Sequence, residues 1–283
     1  MQLSTVETAK LQQIKPCEWD RIPKCSVQSN TNPSNCFGIS VTILVKNGEK
    51  HLRSVLKALS SFDEVVVADT GSTDNTESIA KSFGNVTFAT LPFEGFGKTH
   101  NQASGLAKHD WILSIDSDEE VSKELVDEIH HLQLDTKMVY SFPFINYFNG
   151  KEIKWCGWQN ETHVRLYHRQ STRFSETLVH EGIITHGLEI VHLKHPVHHT
   201  SYDSISDFLI KMERYSTLFS IQYQGKKVSS PLKAFYHGLG AFLKSYFLKK
   251  GFLGGYEGYL ISVYNGQTAF YKYLKLYHIN QSC

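Results

Sequence analysis

From residue 38 onward the sequence alternates short apolar runs with amphipathic stretches, and this alternation constrains the fold more than any other feature. Residues 39–45 and 64–68 are rich in β-branched side chains, which is typical of buried strands. Between them, residues 49–61 repeat leucine and valine at helical spacing. Residues 110–115 form another apolar run of the same kind. Strands that alternate with helices predict an α/β fold with a mainly parallel sheet and helices on both faces.

Acidic residues follow two of the predicted strands. Asp69 comes directly after one apolar run, and Asp116-Ser117-Asp118 comes directly after another. Ligands of such sheets bind beyond the carboxyl ends of the strands. Two carboxylates at this spacing can both reach one divalent cation, and Mg²⁺ or Mn²⁺ would keep positions open for phosphate oxygens. The alternative for the second group is a solvated loop whose acids cap the next helix.

After residue 135 the pattern changes. Residues 139–148 and 151–155 flank Asn149-Gly150, a pair that suits a type I′ hairpin turn. Further short apolar runs predict strands, and residues 203–223 place their apolar side chains on one helical face. We therefore expect more strands and at least one long helix in this half.

The chain divides into three predicted segments. Residues 1–37 are rich in Gln, Ser, Asn and Thr and are expected to form a poorly ordered extension. Residues 38–225 hold the α/β domain. Residues 226–283 carry eight lysines and one acidic residue, a net charge of +7, among many Phe and Tyr residues. This composition predicts a basic, aromatic, amphipathic helical tail of two or more helices.

The overall charge excludes some classes of function. The formal net charge is only +1, which argues against general nucleic-acid binding. The five cysteines form no C-x-x-C pair, so zinc and redox motifs have little support. Neither a signal peptide nor a run of about 20 apolar residues is visible. We therefore expect a cytoplasmic protein with reduced thiols, and a disulfide involving Cys17, Cys25 or Cys36 is the alternative.

Four motifs occur in the order typical of a known family. They lie in the runs ISVTILVKNGEKHL, EVVVADTGSTDNT and KTHNQASGLAKHDWILSIDSDEE, which together cover about residues 38–135. This succession resembles the family 2 glycosyltransferases, which have the Rossmann-like GT-A fold. The second half, with Trp155–Trp158, Arg165-Leu166-Tyr167 and Val179-His180-Glu181, resembles the lipopolysaccharide-core β-1,4-glucosyltransferases.

The resemblance implies a role for several residues. Asp116 and Asp118 correspond to the pair that holds a metal ion and the diphosphate of a nucleotide sugar. Among the fifteen histidines, His199 is separately a candidate third metal ligand or phosphate contact, and a packing or surface role is the alternative. His100 stands where many relatives carry Arg or Lys, so Lys98 is the candidate phosphate contact instead. The residues that the resemblance places at the nucleotide sugar are Asn47, Glu49, Asp69, Lys98, Asn101 and Asp116.

Inverting sugar transfer needs a base that takes the proton of the acceptor hydroxyl. Glu181 is the candidate base, with Asp203 and Glu161 in reserve; the alternative for Glu181 is an ordinary ion pair. Trp155 and Trp158 are candidates for stacking on an acceptor sugar, or else form a hydrophobic lid. Arg165 is a candidate contact to an anionic acceptor group, or else forms a salt bridge.

The predicted function is inverting transfer of a single sugar from UDP-glucose to a lipopolysaccharide or lipooligosaccharide core acceptor. The Q-x-x-R-W motif of processive family members is absent, which favours the transfer of one sugar. A capsule or protein glycan is the alternative acceptor, and an inactive sugar-binding scaffold is the alternative of another class.

The tail carries the prediction about location. Helices with lysines on one side and aromatic rings on the other lie in the membrane interface. We therefore expect the tail to meet an anionic membrane surface, on the inner face of the membrane and without spanning it. The alternative is that the aromatic side chains pack on the α/β domain.

Overall fold

A computed structural model describes residues 38–159, 161–176 and 181–281 of this chain. The predicted N-terminal extension, residues 1–37, lies outside the described residues. The strands within these ranges are β1 (Ile39–Val45), β2 (Glu64–Asp69), β3 (Val86–Thr90), β4 (Trp111–Asp116), β5 (Glu119–Val121), β6 (Met138–Phe148), β7 (Lys151–Glu152), β8 (Glu161–His168), β9 (Glu189–His192) and β10 (Val197–Tyr202).

The α-helices alternate with the first strands and then dominate the C-terminal part. They are α1 (Leu52–Ala58), α2 (Thr76–Lys81), α3 (Phe96–Gly105), α4 (Lys123–His130), α5 (Ile205–Tyr223), α6 (Pro231–Leu243) and α7 (Gly255–Gln281). A π-helical turn, Lys244–Leu248, and a 3₁₀ turn, Gly251–Gly254, connect α6 to α7.

The strands of the described ranges join into one sheet in the order β3-β2-β1-β4-β8-β6-β10-β5. The first four strands pair in parallel, with Val45 of β1 opposite Asp69 and Leu44 opposite Asp116. The two acidic strand ends therefore flank β1 at a single edge of the sheet, as the sequence predicts. Beyond β4 the sheet is mixed: β8 is antiparallel to β4 and β6, and β10 is parallel to β6.

Helices cover both faces of this sheet. Val41 and Ile43 of β1 share the main hydrophobic cluster with buried side chains of α1, α2 and α4. Leu44 faces the opposite way and packs with Ala68 and with Ala103 of α3. Alternate residues of a strand point to opposite faces, so β1 is buried on both. The predicted mixed α/β architecture is confirmed.

Two local predictions have different outcomes. Asn149 and Gly150 both have positive φ angles, 49° and 75°, and join β6 to β7 as a type I′ turn requires. Residues 183–185 are one of the further short apolar runs that predict strands, but the structure has there only an isolated bridge between Phe174 and Ile183. The short strand β5 lies in the acidic run, where the sequence analysis predicts no strand. It forms by pairing with β10, 76 or more residues later in the chain.

The C-terminal helices pack against one another and against the sheet. α7 runs along both α5 and α6. Its Ile261 is buried in a cluster with Phe148, Tyr202 and Phe208. The segment boundaries at residues 37 and 225 stay predictions. Within the described ranges, the helices are all too short or too polar to cross a membrane.

Candidate active site

A cavity of about 1000 Å³ opens at the carboxyl edge of the parallel strands. The ends of β1 and β4, the first half of β8 and one face of α5 form its walls. Five residues of the predicted site line it together: Asp116, Asp118, Arg165, Glu181 and His199. These residues come from four separate parts of the chain, and the topology of the sheet brings them to one place.

Arg165 of β8 joins two carboxylates at the end of β4. Its Nη2 donates to Asp116 Oδ2 at 3.0 Å and to Glu119 Oε1 at 2.5 Å. Glu119 Oε2 also accepts from the Asp116 backbone N–H at 2.9 Å. Glu119 is 1% exposed, so it is a buried member of the acidic run and not a solvated one. The guanidinium of Arg165 is thereby engaged by protein carboxylates.

Burial and charge act in opposite directions on these carboxyls. Burial disfavours the charged form of Asp116, but Arg165, His100 and His199 hold its pKa well below the usual range. Burial raises the pKa of Glu119 to about 8, and Arg165 opposes this rise. Both oxygens of Glu119 accept hydrogen bonds, from Arg165 and from the Asp116 backbone N–H, so its contacts favour the charged form that burial opposes.

Asp118 belongs to a second chain of contacts. His199 Nε2 lies 3.5 Å from Asp118 Oδ2, and His199 Nδ1 lies 2.8 Å from Asn146 Oδ1. The amide nitrogen of Asn146 donates to Glu161 Oε2 at 2.9 Å. Asn146 Oδ1 is an acceptor, so it fixes the proton of His199 on Nδ1 and directs Nε2 toward Asp118. Glu161, a reserve base, therefore belongs to the same network.

The side-chain atoms at this edge of the sheet are of the types that bind a hard divalent metal ion. Carboxylate oxygens of Asp116 and Asp118 and the Nε2 of His199 are ligands that Mn²⁺ accepts, and carboxylates suit Mg²⁺. Across residues 38–159, 161–176 and 181–281, no group of three or more His, Cys, Asp or Glu side chains is arranged to hold a metal ion. The metal assignment stays a prediction.

The residues predicted to border the nucleotide hold two loops together. Asn47 Oδ1 accepts from the Thr73 backbone N–H at 2.8 Å, and Glu49 Oε1 accepts from Asn75 Nδ2 at 2.9 Å. The carboxylate of Asp69 accepts from the backbone N–H groups of Gly71 and Ser72. The contacts of Asn47 and Glu49 fix the loop after β2 against the loop after β1, and those of Asp69 shape the loop after β2 itself.

Helix α3 carries two of the predicted contacts. Lys98 pairs with Glu94 at 3.0 Å, in an exposed i,i+4 ion pair. The side chain of Asn101 exchanges hydrogen bonds with the backbone N–H and C=O of Phe174. The ring of His100 is buried, lies 3.8 Å from Asp116 and stacks on Phe174, and burial lowers its pKa to about 4. Neutral His100 thus lines the cavity, while Asn101 holds the segment at Phe174.

The two tryptophans pack beside the C-terminal helices. Trp158 stacks on Tyr202 with centroids 5.5 Å apart, and Trp155 meets Gly254 of the 3₁₀ turn. Both belong to the cluster around Phe208. These contacts match the alternative reading of a hydrophobic element, and the predicted contact to an acceptor sugar stays a prediction.

The candidate bases lie in different surroundings. Glu181 lines the cavity and acts electrostatically on Tyr215, whose pKa burial raises to about 12. Asp203 instead pairs with Lys50 and His51 at 2.8 Å each. Asp203 is thus engaged by residues of the loop before α1. Glu181 and Glu161 are among the residues that line the cavity, and Asp203 is not. Position therefore favours the first two as candidates for the base, which stays a prediction.

Helix α5 supplies basic residues that the sequence analysis missed. Lys211 and Arg214 line the cavity, and the Arg214 guanidinium lies 5.0 Å and 4.5 Å from the ring centroids of Phe93 and Phe96. This contact ties α5 to the segment that enters α3. The spacing of the two residues puts them near one another on a helix, but no local pattern relates residue 214 to Asp116.

The family is decided by a comparison of the whole sequence with known families. The sequence model of "Glycosyl transferase family 2" matches residues 40–186, which are 147 of the 283 residues. The chain belongs to glycosyl transferase family 2. This family 2 glycosyltransferase has the predicted enzymatic class, and its family supports a nucleotide-sugar donor.

Two relatives of this family 2 glycosyltransferase extend over most of its length. An uncharacterised glycosyltransferase of Rickettsia typhi is 28% identical and covers 84% of this chain and 85% of its own. A lipopolysaccharide core biosynthesis glycosyltransferase of Rhizobium meliloti, LpsC, is 24% identical and covers 84% of this chain and 92% of its own. The second relative agrees with the resemblance to lipopolysaccharide-core transferases.

Two solved structures of bacterial proteins are among those that this chain resembles. Residues 1–349 of TarS from S. aureus are 17% identical, with a TM-score of 0.41 and coverage of 87% of this chain and 90% of that chain. Glucosyl-3-phosphoglycerate synthase from Mycobacterium tuberculosis, in complex with Mn²⁺, UDP and phosphoglyceric acid, is 23% identical. Its TM-score is 0.32, and it covers 41% of this chain and 44% of that chain.

Proposed function

We propose that this enzyme transfers one glucose unit, with inversion, from UDP-glucose to a sugar of a lipopolysaccharide or lipooligosaccharide core. The observation that carries the proposal is the common cavity of Asp116, Asp118 and Glu181 at the carboxyl edge of the sheet. The carboxylates of Asp116 and Asp118 would serve the donor, and the carboxylate of Glu181 would serve the acceptor. The similarity to LpsC, which covers 84% of this chain, supports a core acceptor.

The acceptor hydroxyl attacks the anomeric carbon of the donor sugar while Glu181 accepts its proton. The bond from the anomeric carbon to the diphosphate oxygen breaks, and the nucleoside diphosphate leaves. A positioned base of this kind contributes roughly 10²–10⁴-fold to the rate. Lys211 and Arg214 line the same cavity, and their positive charges would offset the charge of the leaving diphosphate.

Asp116, Asp118 and His199 would hold Mg²⁺ or Mn²⁺. When bound, the ion would supply positive charge to the donor diphosphate. Arg165 fixes Asp116 through one carboxylate oxygen, Oδ2. Asn146 directs His199 Nε2 toward Asp118, so the protein's own hydrogen bonds orient both side chains.

The donor is tested first by thermal unfolding of the purified protein with Mn²⁺ and UDP-glucose, UDP-galactose or UDP-N-acetylglucosamine. UDP-glucose should raise the melting temperature most, because a ligand that binds only the folded state stabilises it. A larger shift with another donor would overturn the assignment of glucose.

The acceptor is tested by the release of UDP with truncated lipopolysaccharide cores and with capsule or protein glycans, supplied side by side. We expect turnover with a core acceptor that exceeds turnover with the other glycans. Turnover that requires a capsule or protein glycan would overturn the assignment of the acceptor and leave the reaction class in place.

A further inference from the structure

Helix α6 leaves a continuous stripe of large apolar side chains in contact with solvent. Leu232, Phe235, Leu239 and Leu243 recur at helical spacing, and all four are exposed, Leu232 to 63%. Soluble proteins rarely leave long contiguous apolar patches uncovered. The stripe therefore calls for a partner.

The stripe continues through the turns that follow α6. Phe247 and Leu248 of the π-helical turn and Phe252 and Leu253 of the 3₁₀ turn are exposed, with Leu248 at 79%. We call these four residues, together with Leu232, Phe235, Leu239 and Leu243, the apolar face. All eight side chains come from 22 consecutive residues, 232–253.

The opposite side of α6 is occupied by α7. Ala234, Gly238 and Ser245 are buried there, and a Cβ on Gly238 would lie 2.9 Å from Phe270 Cβ and 3.1 Å from the Gly266 carbonyl oxygen. This close approach fixes how α6 is rotated about its axis. Since α7 covers one side, the apolar face lies on the outer side of the helix pair.

The charged residues of the segment that carries the apolar face are all of one sign. Residues 226–256 contain six lysines and no acidic residue. Lys233, Lys244 and Lys250 are exposed and lie in sequence among the members of the face. Glu257, the first acid that follows, is paired with Lys151 at 2.8 Å. A surface of exposed apolar side chains flanked by lysines complements anionic lipid headgroups above an apolar interior.

We propose that the apolar face docks in the plane of an anionic lipid bilayer, with Phe247, Leu248, Phe252 and Leu253 among the acyl chains and the lysines at the headgroups. The proposal does not depend on the donor or the acceptor, because it rests on exposure and charge outside the cavity. Each lysine near an anionic surface contributes about fivefold to partitioning. The face and the cavity belong to one packed unit, since Cys156 N–H donates to the Lys249 carbonyl oxygen at 3.0 Å.

The experiment is co-sedimentation of the full chain with two kinds of vesicle, phosphatidylcholine alone and phosphatidylcholine mixed with phosphatidylglycerol. We expect the protein to pellet with the anionic vesicles, to pellet much less with the neutral ones, and to be released by high salt. A native chain that stays in the supernatant with anionic vesicles would overturn the proposal.

Two variants test the two parts of the surface. Phe247→Ser/Leu248→Ser removes apolar area, and Lys244→Glu/Lys250→Glu reverses two charges; each should lower partitioning by about tenfold or more. The matched controls are Ile184→Ser/Ile190→Ser, which are exposed apolar residues of the α/β part, and Lys123→Glu/Lys137→Glu. Controls that lose as much binding as the variants would overturn the assignment to this face.

Two further measurements are needed: the melting temperature shows whether each variant is folded, and the oligomeric state shows whether the face binds a second copy of the chain. The altered side chains are exposed, so the melting temperature of each variant should match that of the native chain. A stable dimer in the absence of lipid, dissociated by Phe247→Ser/Leu248→Ser and accompanied by no binding to vesicles, would overturn the proposal. That outcome would assign the face to a second copy of the chain.

Discussion

Asp118 is a charged residue of the candidate site that is also accessible to solvent. Its carboxylate lines the cavity, faces His199 at 3.5 Å and is about one-third exposed, so its removal should leave the fold intact. We expect Asp118→Asn to lower the rate of UDP release by about 100-fold or more, because the diphosphate loses several kcal/mol of charge stabilisation. Glu120→Gln, an exposed carboxylate two residues later, is the control. Full native activity in the presence of EDTA would contradict the metal prediction.

Glu181 allows a test of proton transfer. Glu181→Gln keeps the size of the side chain but cannot accept a proton, so kcat should fall by roughly 10²–10⁴-fold. The binding of the donor, measured by thermal shift with the nucleotide sugar, should change little. Glu176→Gln, an exposed carboxylate of the same segment, should keep native kcat. Turnover near the native value in Glu181→Gln would move the base to Glu161.

Arg165 has a structural role that stability can measure. Arg165→Met would leave the buried carboxylate of Glu119 beside the partly exposed carboxylate of Asp116 without the guanidinium. We expect the free energy of unfolding to fall by about 3–5 kcal/mol. Adding Glu119→Gln in that background should recover part of the loss, since one buried carboxylate is gone. Lys81→Met, which breaks an exposed ion pair with Glu77, should cost at most about 1 kcal/mol.

Urea unfolding in EDTA measures all of these Arg165 variants without a contribution from bound metal. A loss for Arg165→Met no larger than that for Lys81→Met would contradict the buried character of the cluster.

At the scale of one element, the close packing of helix α3 against the segment at Phe174 requires a glycine at position 97. A Cβ on Gly97 would lie 1.8 Å from the Ser175 carbonyl oxygen, so Gly97→Ala forces the segment at Phe174 away from the helix. We expect a loss of about 1–3 kcal/mol in the free energy of unfolding, as for other overpacked sites. Gly105, in the same helix, has open space, and Gly105→Ala should be neutral or should stabilise by up to about 1 kcal/mol. Equal stability of the two variants in urea unfolding would contradict this contact.

The sequence predicts β1, β2 and β4 well because their signal is local. Each is an apolar run long enough to be read from its own residues, and the acids at their ends follow from position alone. β5 has only three residues, two of them glutamates, and its pairing with β10 is a contact over a long separation in sequence. No local pattern contains such information.

The same distinction applies within the candidate site. Asp116 and Asp118 were predictable because a strand end shows in the sequence. The partnership of Arg165 with Glu119, and the approach of Arg214 to the cavity, depend on how β8 and α5 are placed. Glu119 in particular belongs to a run of acids that suggests a solvated loop, yet tertiary structure buries it.

At the scale of the whole molecule, α7 is part of the core of the α/β region. Ile261 is fully buried with Phe148, Tyr202 and Phe208. We expect Ile261→Ala to cost about 2–5 kcal/mol, and to lower the temperature of one cooperative transition instead of splitting it. Calorimetry measures both quantities, and Ile221→Ala, about half exposed on α5, is the control. Two separate transitions would show that the C-terminal helices unfold independently.

The contact of Cys156 with α7 turns one thiol into a reporter of local opening. Cys156 is buried, and its Sγ donates to the Gly258 carbonyl oxygen at 3.3 Å. A thiol reagent reaches such a side chain only when the surrounding structure opens, so the labelling rate follows the population of the opened form. With the other four cysteines replaced by serine, the labelling kinetics of this one thiol would measure how often α7 detaches locally from the residues around Cys156 in the native protein.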